Sequence, residues 1–402
     1  MNILVVCQYY QPEPFRVHDI CAELVRAGHS VQVVTGMPNY PKGELYPGFE
    51  KNQPVDEELD GVRIHRCPIH PRKTGSLHRL WNYASFPASA SRYLRSKRFS
   101  AAECGAFDLV FVYQLSPVMM ASPGIRYAKR RRIPVVLYCL DLWPESLLAG
   151  GVRRGSIIYR YFHRVSKKIY SSIDKLLITS NQFSRYLQQE FSLPEERIEY
   201  LPQYAEEFFS ALPAREPDGT TNLMFAGNLG SLQSLDTILD AASMLKDEPV
   251  RFLIVGDGKE SGHLEQRIKR ESLKNVSLMG RRPVEKMPGL YAGADAMLVT
   301  MKTDPVLSLT LPGKVQSYLA SGRPVIGAVD GEAARVIEES GCGFCGPAED
   351  ASALAENVRR FMLSDGKAEM GRRAAAYYAG HFTKTQFMAR IEPILRHVVD
   401  CE

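Results

Sequence analysis

The sequence predicts an α/β protein of two doubly wound, Rossmann-like domains. Three observations carry that expectation: short apolar runs alternate with amphipathic ones over residues 1–202, a Pro-rich tract without period follows, and a second alternating series then begins. Ile3–Cys7 reads as a strand, Arg16–Ala27 as a helix closing at Gly28, and Val31–Thr35 as the next strand, together a βαβ unit. Further strands are expected at Val62–Cys67, Leu109–Tyr113, Val135–Cys139 and Leu176–Thr179, with helices at Trp81–Lys97, Pro117–Lys129, Ile157–Tyr170 and Gln182–Glu190. Such alternation implies a mostly parallel sheet with helices on both faces. Residues 203–221 suit a linker. Residues 222–382 then offer strands at Leu223–Ala226, Phe252–Val255, Val276–Met279, Ala296–Thr300 and Pro324–Ala328. Helices are expected at Ser234–Leu245, Leu264–Glu271, Gly313–Ala320 and Ala351–Phe361. The last amphipathic run, Thr383–Val399 within 383–402, is long enough to cross back to the first domain.

At 402 residues, 45% hydrophobic and 24% charged, the composition excludes disordered, collagenous and disulfide-scaffold classes. The net charge of +5 is unevenly spread: residues 1–202 hold 27 basic and 18 acidic side chains, or +9, and the remainder 23 and 27, or −4. No window holds 18 uninterrupted apolar residues, and the first strand starts directly after Met1, so neither a signal peptide nor a membrane span is expected. Eight scattered cysteines (7, 21, 67, 104, 139, 342, 345, 401) fit a reducing cytoplasm. Cys342 and Cys345 form a Cys-x-x-Cys, but with no second ligand pair nearby the run Ser340–Pro347 reads as a turn and short strand with a structural role.

Ligands of doubly wound sheets sit outside the carboxyl ends of the strands, which places the expected site in a cleft between the two domains. After the first strand of the second series comes Phe225-Ala-Gly-Asn-Leu-Gly-Ser-Leu-Gln, where Gly227 and Gly230 let backbone amides approach an anion and the helix start that follows favours negative charge. Gly256 and Gly258 in Val255-Gly-Asp-Gly offer a second permissive strand end, and Arg281 follows a third. The most informative stretch is Leu309-Thr-Leu-Pro-Gly-Lys-Val-Gln-Ser-Tyr-Leu-Ala-Ser-Gly-Arg-Pro-Val-Ile. Pro312 suits a helix start, Gly313 clears the backbone, and Lys314 puts an ammonium beside free N–H groups, an unfavourable place for a cation unless an anion joins it. No Gly-x-Gly-x-x-Gly follows the first strand, and no Walker loop, Asp-x-Asp motif or His/Cys cluster occurs, so neither a dinucleotide cofactor nor a metal is expected. A nucleotide bound without metal needs helix ends and basic side chains.

At these residues the chain resembles retaining glycosyltransferases of family 4. The resemblance spans nearly its whole length and rests on six segments in order: Gly28-His-Ser-Val-Gln-Val-Val-Thr-Gly, Pro38-Asn-Tyr-Pro-Lys-Gly, Asp141-Leu-Trp-Pro-Glu-Ser, Phe225 to Gln233, Val255 to Gly258, and Leu311-Pro-Gly-Lys with Tyr318 to Ile326. Within the family it is most similar to the branch of bacterial O-antigen, capsule and colanic-acid assembly, N-acetylfucosaminyltransferases included. The resemblance implies the GT-B fold, with the second domain gripping a nucleoside-diphosphate sugar, UDP-linked, and the first binding the acceptor. It assigns donor contacts to Gly227, Asn228, Gly230, Gln233, Gly256, Gly258, Arg281, Leu311, Pro312, Gly313, Lys314 and Val315. The family's two glutamates, separated by seven residues, fall here on Leu309 and Ser317, and its arginine and lysine on Asn228 and Gln233. Lys314, with the backbone of Gly313 and Gly230, is therefore expected to neutralise the diphosphate.

Retaining transfer needs a stabilised leaving group and a positioned acceptor hydroxyl, and in family members the departing phosphate oxygen itself accepts the proton. Asp141, after the strand Val135–Cys139, is the candidate catalytic carboxylate, orienting the acceptor or stabilising positive charge on the sugar; the competing reading has it cap Leu142–Leu148. Asn39, Tyr40 and Lys42 follow another strand end and join Trp143, a stacking residue or a core one, as acceptor candidates. His18 and His29 read as structural. Arg126–Lys175 holds 12 basic and three acidic residues, the whole +9, and Ile157–Lys168 interleaves cations with apolar residues near helical spacing. That pattern fits an anionic membrane surface or a solvated helix face; no nucleic-acid motif accompanies it. A polyprenyl diphosphate-linked saccharide as acceptor would account for cations and apolar residues together, on the cytoplasmic face of the membrane. Two other readings share the fold: a UDP-sugar 2-epimerase, and a sugar-nucleotide-binding subunit without catalysis.

Overall fold

A computed structural model describes residues 1–71, 76–102, 105–213, 215–216 and 218–401; Cys104 and the linker positions 214 and 217 lie outside the described residues. The chain divides into two compact units. One comprises Met1–Thr179, Phe183–Leu201 and Met388–Glu402, the other Ser180–Gln182 and Pro202–Phe387.

In chain order the first unit contains β1 (Asn2–Val6), α1 (Val17–Arg26), β2 (Ser30–Gly36), β3 (Val55–Leu59), β4 (Val62–Cys67), α2 (Ser76–Tyr93), α3 (Lys97–Ala102), β5 (Leu109–Gln114), α4 (Ser122–Arg131), β6 (Val135–Cys139), α5 (Ile157–Tyr170), β7 (Lys175–Ile178), α6 (Gln182–Phe191) and β8 (Ile198–Tyr200). The strands pair in the order β3-β4-β2-β1-β5-β6-β7-β8, parallel throughout except for β3 against β4. A parallel sheet is covered on both faces, and so β5 is buried along its whole length, as its unbroken apolar run Leu-Val-Phe-Val-Tyr requires. The antiparallel edge strand β3 is an addition to the expected set: Asp60 and Gly61, both at positive φ (51° and 73°), turn the chain directly into β4. Instead of one helix over Pro117–Lys129, a 3₁₀ turn at Val118–Ala121 precedes α4, where Pro123 occupies the first turn that needs no N–H donor. Ser156 caps α5, its hydroxyl accepting from Tyr159 N at 3.2 Å.

The second unit contains β9 (Thr221–Ala226), α7 (Leu235–Met244), β10 (Val250–Val255), α8 (Ser261–Glu271), β11 (Val276–Gly280), α9 (Met287–Ala292), β12 (Ala296–Thr300), α10 (Gly313–Ala320), β13 (Val325–Ala328), α11 (Glu332–Ser340), β14 (Gly343–Gly346), α12 (Ala351–Leu363) and α13 (Lys367–His381). Its six strands, β11-β10-β9-β12-β13-β14, are all parallel. Successive residues point to opposite faces of a strand. Met224, Ala226, Met297 and Val299 accordingly fill one core layer, and Leu223, Phe225, Ala296 and Leu298 the other. Cys342 and Cys345 are free thiols there, both pushed up to about 11 by burial.

The last helix, α14 (Lys384–Asp400), lies mostly in the first unit, with Ile391 and Leu395 fully buried and Glu392 Oε1 3.2 Å from His29 Nε2. Strand order reverses at β1, flanked by β2 and β5, and at β9, flanked by β10 and β12. The carboxyl ends of these two strands are the switch points where open α/β sheets hold their ligands.

Candidate functional site

At the β9 switch point the chain leaves Ala226 through Gly227, whose φ of 150° favours glycine. A Cβ there would stand 3.1 Å from the Nζ of Lys314, so the missing side chain is what admits the lysine. Lys314, the second residue of α10, reaches Gln233 Oε1 at 2.5 Å and places its ammonium 3.8 Å from the centre of the Phe225 ring. Tyr318, one turn further along α10, locks the helix to the strand end: its hydroxyl accepts from Ala226 N (3.0 Å) and donates to Ala226 O (3.1 Å).

Lys314 is half-buried, and burial pushes it down to about 7 because desolvation disfavours the charged form. No carboxylate pairs with it among the described residues. An ammonium in the first turn of a helix, with only an amide oxygen and a ring face as partners, is short of an anion. Pro312 precedes the helix as its cap position, and Gly313 is exposed, a Cβ on it meeting nothing nearer than Gln316 Oε1 at 3.8 Å. The entrance to the helix end is open.

Of the other donor candidates, Gly256 and Gly258 shape the site from behind. A Cβ on Gly256 would fall 1.8 Å from the carbonyl oxygen of Gly227, and one on Gly258 2.4 Å from that of Leu229. Gly227 N donates to Val255 O and Leu229 N to Asp257 O, each at 3.0 Å, so these glycines seat one loop on another and face no open space. Asn228 is exposed and Gly230 half-buried beside it. The side chains of Leu311 and Val315 are packed with Tyr318 and Leu319 in the layer under α10, where apolar side chains on the inward face of a helix belong, which leaves only their backbone to meet a ligand. Arg281 is exposed past the end of β11, two strands from β9.

On the first unit, Asp141 Oδ2 accepts from Ser116 N at 3.0 Å, while its carbonyl accepts from Gln114 Nε2 at 2.9 Å. It thereby holds the end of β5 beside the end of β6. Trp143 is corrected to a core residue. It is 1% exposed, donates from Nε1 to Ser116 Oγ at 2.8 Å, and meets Tyr83 and Phe162 edge to face, leaving no ring face for a sugar. Asn39 is buried as well, and Lys42 exposed.

What organises the Asn39–Lys42 loop is a residue the motifs did not single out. Glu13 is 2% exposed at the β1 switch point, and its carboxylate accepts from the backbone N of Asn39 (2.9 Å), Tyr40 (2.7 Å) and Tyr10 (3.1 Å). Burial outweighs these three donors and raises its pKa to about 7. Tyr40 packs against Tyr9 and Phe15, with ring centroids 5.7 and 5.3 Å apart, so one carboxylate and three rings tie the loops after β1 and β2 together. The available signal was a glutamate between two prolines directly after the first strand. The Asp141–Ser146 segment hides a second such group: Glu145, fully buried, accepts from Tyr159 OH (2.7 Å), Tyr186 OH (2.6 Å) and Arg154 Nη2 (2.7 Å). His18, bonded to Tyr10 and Asp60, and His29, between the Met1 amino group and Glu392, are both structural.

Comparison with known proteins places this geometry. Residues 15–203 match the model of the glycosyl transferase 4-like domain, and residues 220–364 that of the glycosyl transferases group 1. The chain is 24% identical over 390 residues to the colanic acid biosynthesis glycosyl transferase WcaI of Escherichia coli K12, covering 90% of this chain and 92% of that one. Sucrose-phosphate synthase from Thermosynechococcus elongatus superposes with a TM-score of 0.76 at 16% identity, covering 100% of this chain and 99% of that one. Anabaena HepE, solved in complex with UDP, superposes with a TM-score of 0.71 at 16% identity, covering 99% and 100%. The chain is thus a glycosyltransferase of the GT-B fold, a glycosyl transferase 4-like domain followed by a group 1 domain.

Proposed function

We propose that this enzyme transfers a sugar, with retention of configuration and without a metal, from a UDP-linked donor to a lipid-linked saccharide in surface-polysaccharide assembly. The observation that carries the reading is Lys314, a half-buried ammonium at an open helix start with no carboxylate beside it among the described residues. A diphosphate there gains the lysine charge and the unsatisfied N–H groups of α10. As the bond between the anomeric carbon and the diphosphate oxygen breaks, the leaving oxygen takes up negative charge that Lys314 stabilises. The acceptor hydroxyl forms the new bond on the same face, and its proton passes to that leaving oxygen, so no separate nucleophile is needed. Asp141 and the loop braced by Glu13 are the acceptor-side groups in this reading. HepE, with its bound UDP, supports the choice of nucleotide, and WcaI, by its name, the polysaccharide context.

Membrane docking is part of the proposal. Along α5, Ile157, Ile158 and Tyr161 are 85%, 56% and 60% exposed, and Arg160, Arg164, Lys167 and Lys168 are exposed beside them. Apolar side chains free to enter the acyl boundary beside cations suited to anionic headgroups describe an interfacial helix. No helix among the described residues is long and apolar enough to cross a membrane.

The test is UDP release from a panel of UDP-sugars, with and without a polyprenyl diphosphate-linked saccharide in vesicles and with EDTA throughout. Acceptor-dependent release that falls at least a hundredfold in Lys314→Ala, with unchanged melting, is the expected result. Isomerisation of the donor without acceptor, or binding without turnover, would replace the proposal with an epimerase or a binding subunit.

A further inference from the structure

The second unit has a large cavity, about 950 Å³, at the amino-terminal edge of its sheet, opposite the carboxyl end of β9 that Lys314 of α10 approaches. Thr221 opens β9 there, and Pro249, Asp295 and Pro324 directly precede β10, β12 and β13. The volume lies within the range of small-molecule sites. Its charged lining is Arg215, Asp295, Arg323, Asp365, Lys367 and Arg372.

Arg215 is committed internally, with Nε 3.1 Å from Asp295 Oδ2 and Nη2 3.0 Å from Asp218 Oδ1. Arg323 is different. It is 3% exposed, its Nη2 donates to Ala292 O at a long 3.3 Å, and its Nε has no partner. A guanidinium stays charged at physiological pH, and burying one of its donors unpaired is unfavourable unless something else meets it. Two further cations stand on the facing helix: Lys367, whose Nζ donates to Met362 O at 2.9 Å, and Arg372, paired at the surface with Glu369. Gly371 pins that helix to the turn carrying Arg323, since a Cβ on it would lie 2.6 Å from Gly322 O. The lining thus sets four cations against two carboxylates: Asp365, and Asp295, which pairs with Arg215 and also attracts Arg323. Most of the remaining wall, Pro213, Pro324 and Met362 among it, is apolar, with Thr220 and Thr221 adding hydroxyls.

We propose that this cavity binds a phosphorylated metabolite of sugar-phosphate or nucleotide size, its phosphate on Arg323, Lys367 and Arg372 and its body against the apolar walls. The site also touches the donor cluster through one element. α10 starts at Gly313 and Lys314 and ends in the turn Ser321–Arg323, where Arg323 N donates to Tyr318 O at 3.2 Å. An occupant that fixes this turn changes the setting of Tyr318 and Lys314, and donor and effector then alter each other's affinity reciprocally.

Calorimetric titration of the full chain with inorganic pyrophosphate tests the site. Native protein should bind two equivalents, and Lys314→Ala one. Adding Lys367→Gln and Arg372→Gln to Lys314→Ala should weaken the remaining equivalent at least tenfold without changing the melting temperature, and Arg323→Met in the same background should abolish it. If Lys314→Ala binds no pyrophosphate, or if the triple variant binds as tightly as Lys314→Ala, the second site does not exist. If Lys314→Ala still binds two equivalents, the donor reading fails while the Lys367/Arg372 comparison continues to decide this one.

Discussion

Lys314 has two charge states within reach of neutral pH, and its surroundings fix the sign of the resulting pH dependence. Free of ligand it is held down to about 7 by burial, so it is charged below that pH and neutral above it. A bound diphosphate favours the ammonium and raises its pKa, so binding above pH 7 must take up a proton. UDP affinity should therefore fall as pH rises from 7 to 9, by up to about tenfold per unit. Calorimetry in buffers of different ionisation heat should show uptake approaching one proton at pH 8. Lys314→Met should bind weakly and with no such uptake; an affinity of the native protein that stays flat between pH 7 and 9 would remove the lysine from the diphosphate. Glu13, raised to about 7 by the same desolvation, is the corresponding poised group on the first unit.

At the level of elements, the proposed donor site depends on two loops stacked with no space between them. Gly256→Ala puts a methyl group into the carbonyl of Gly227 at a φ of 146°, and should cost on the order of 2–4 kcal/mol of unfolding free energy and weaken UDP binding in parallel. Gly313→Ala, whose Cβ meets only Gln316 Oε1 at an unstrained 3.8 Å, should leave stability unchanged, so paired denaturant melts and UDP titrations separate loop support from ligand contact. The same elements explain what could be read from sequence. Parallel strands buried on both faces appear as unbroken apolar runs, which is why β1, β5, β6 and β12 were legible. Val55–Leu59 was not, because three of its five side chains are carboxylates on an exposed edge, although Asp60-Gly61 carried the turn signal. α13 escaped because only Gly371 and Ala374 of its 15 residues are buried, leaving no apolar stripe to detect. Gly227, Gln233 and Lys314 were legible because each follows a strand end or starts a helix. Glu13 was not, since its partners Asn39 and Tyr40 lie 26 and 27 residues away and only the fold brings them together. Trp143 and Val315 lie inside legible motifs, yet a motif does not say which of its apolar members turn inward.

For the molecule as a whole, a net charge of +5 conceals a first half at +9, all of it between Arg126 and Lys175. If α5 docks on membranes, the full chain should sediment with vesicles containing anionic phospholipid at low salt and release between 50 and 500 mM NaCl. Ile157→Asp with Ile158→Asp should abolish the salt-resistant fraction while UDP binding persists, and equal sedimentation of native and variant protein would show the apolar face to be idle. The return of α14 to the first unit has a different consequence. Because Ile391 and Leu395 are buried in that unit, the surface they cover stays open until residue 400 has left the ribosome, although the unit's sheet is complete at residue 200. At about 5–20 residues per second the nascent first unit waits tens of seconds with that surface open, while the second unit, continuous from residue 202 to 387, can finish first.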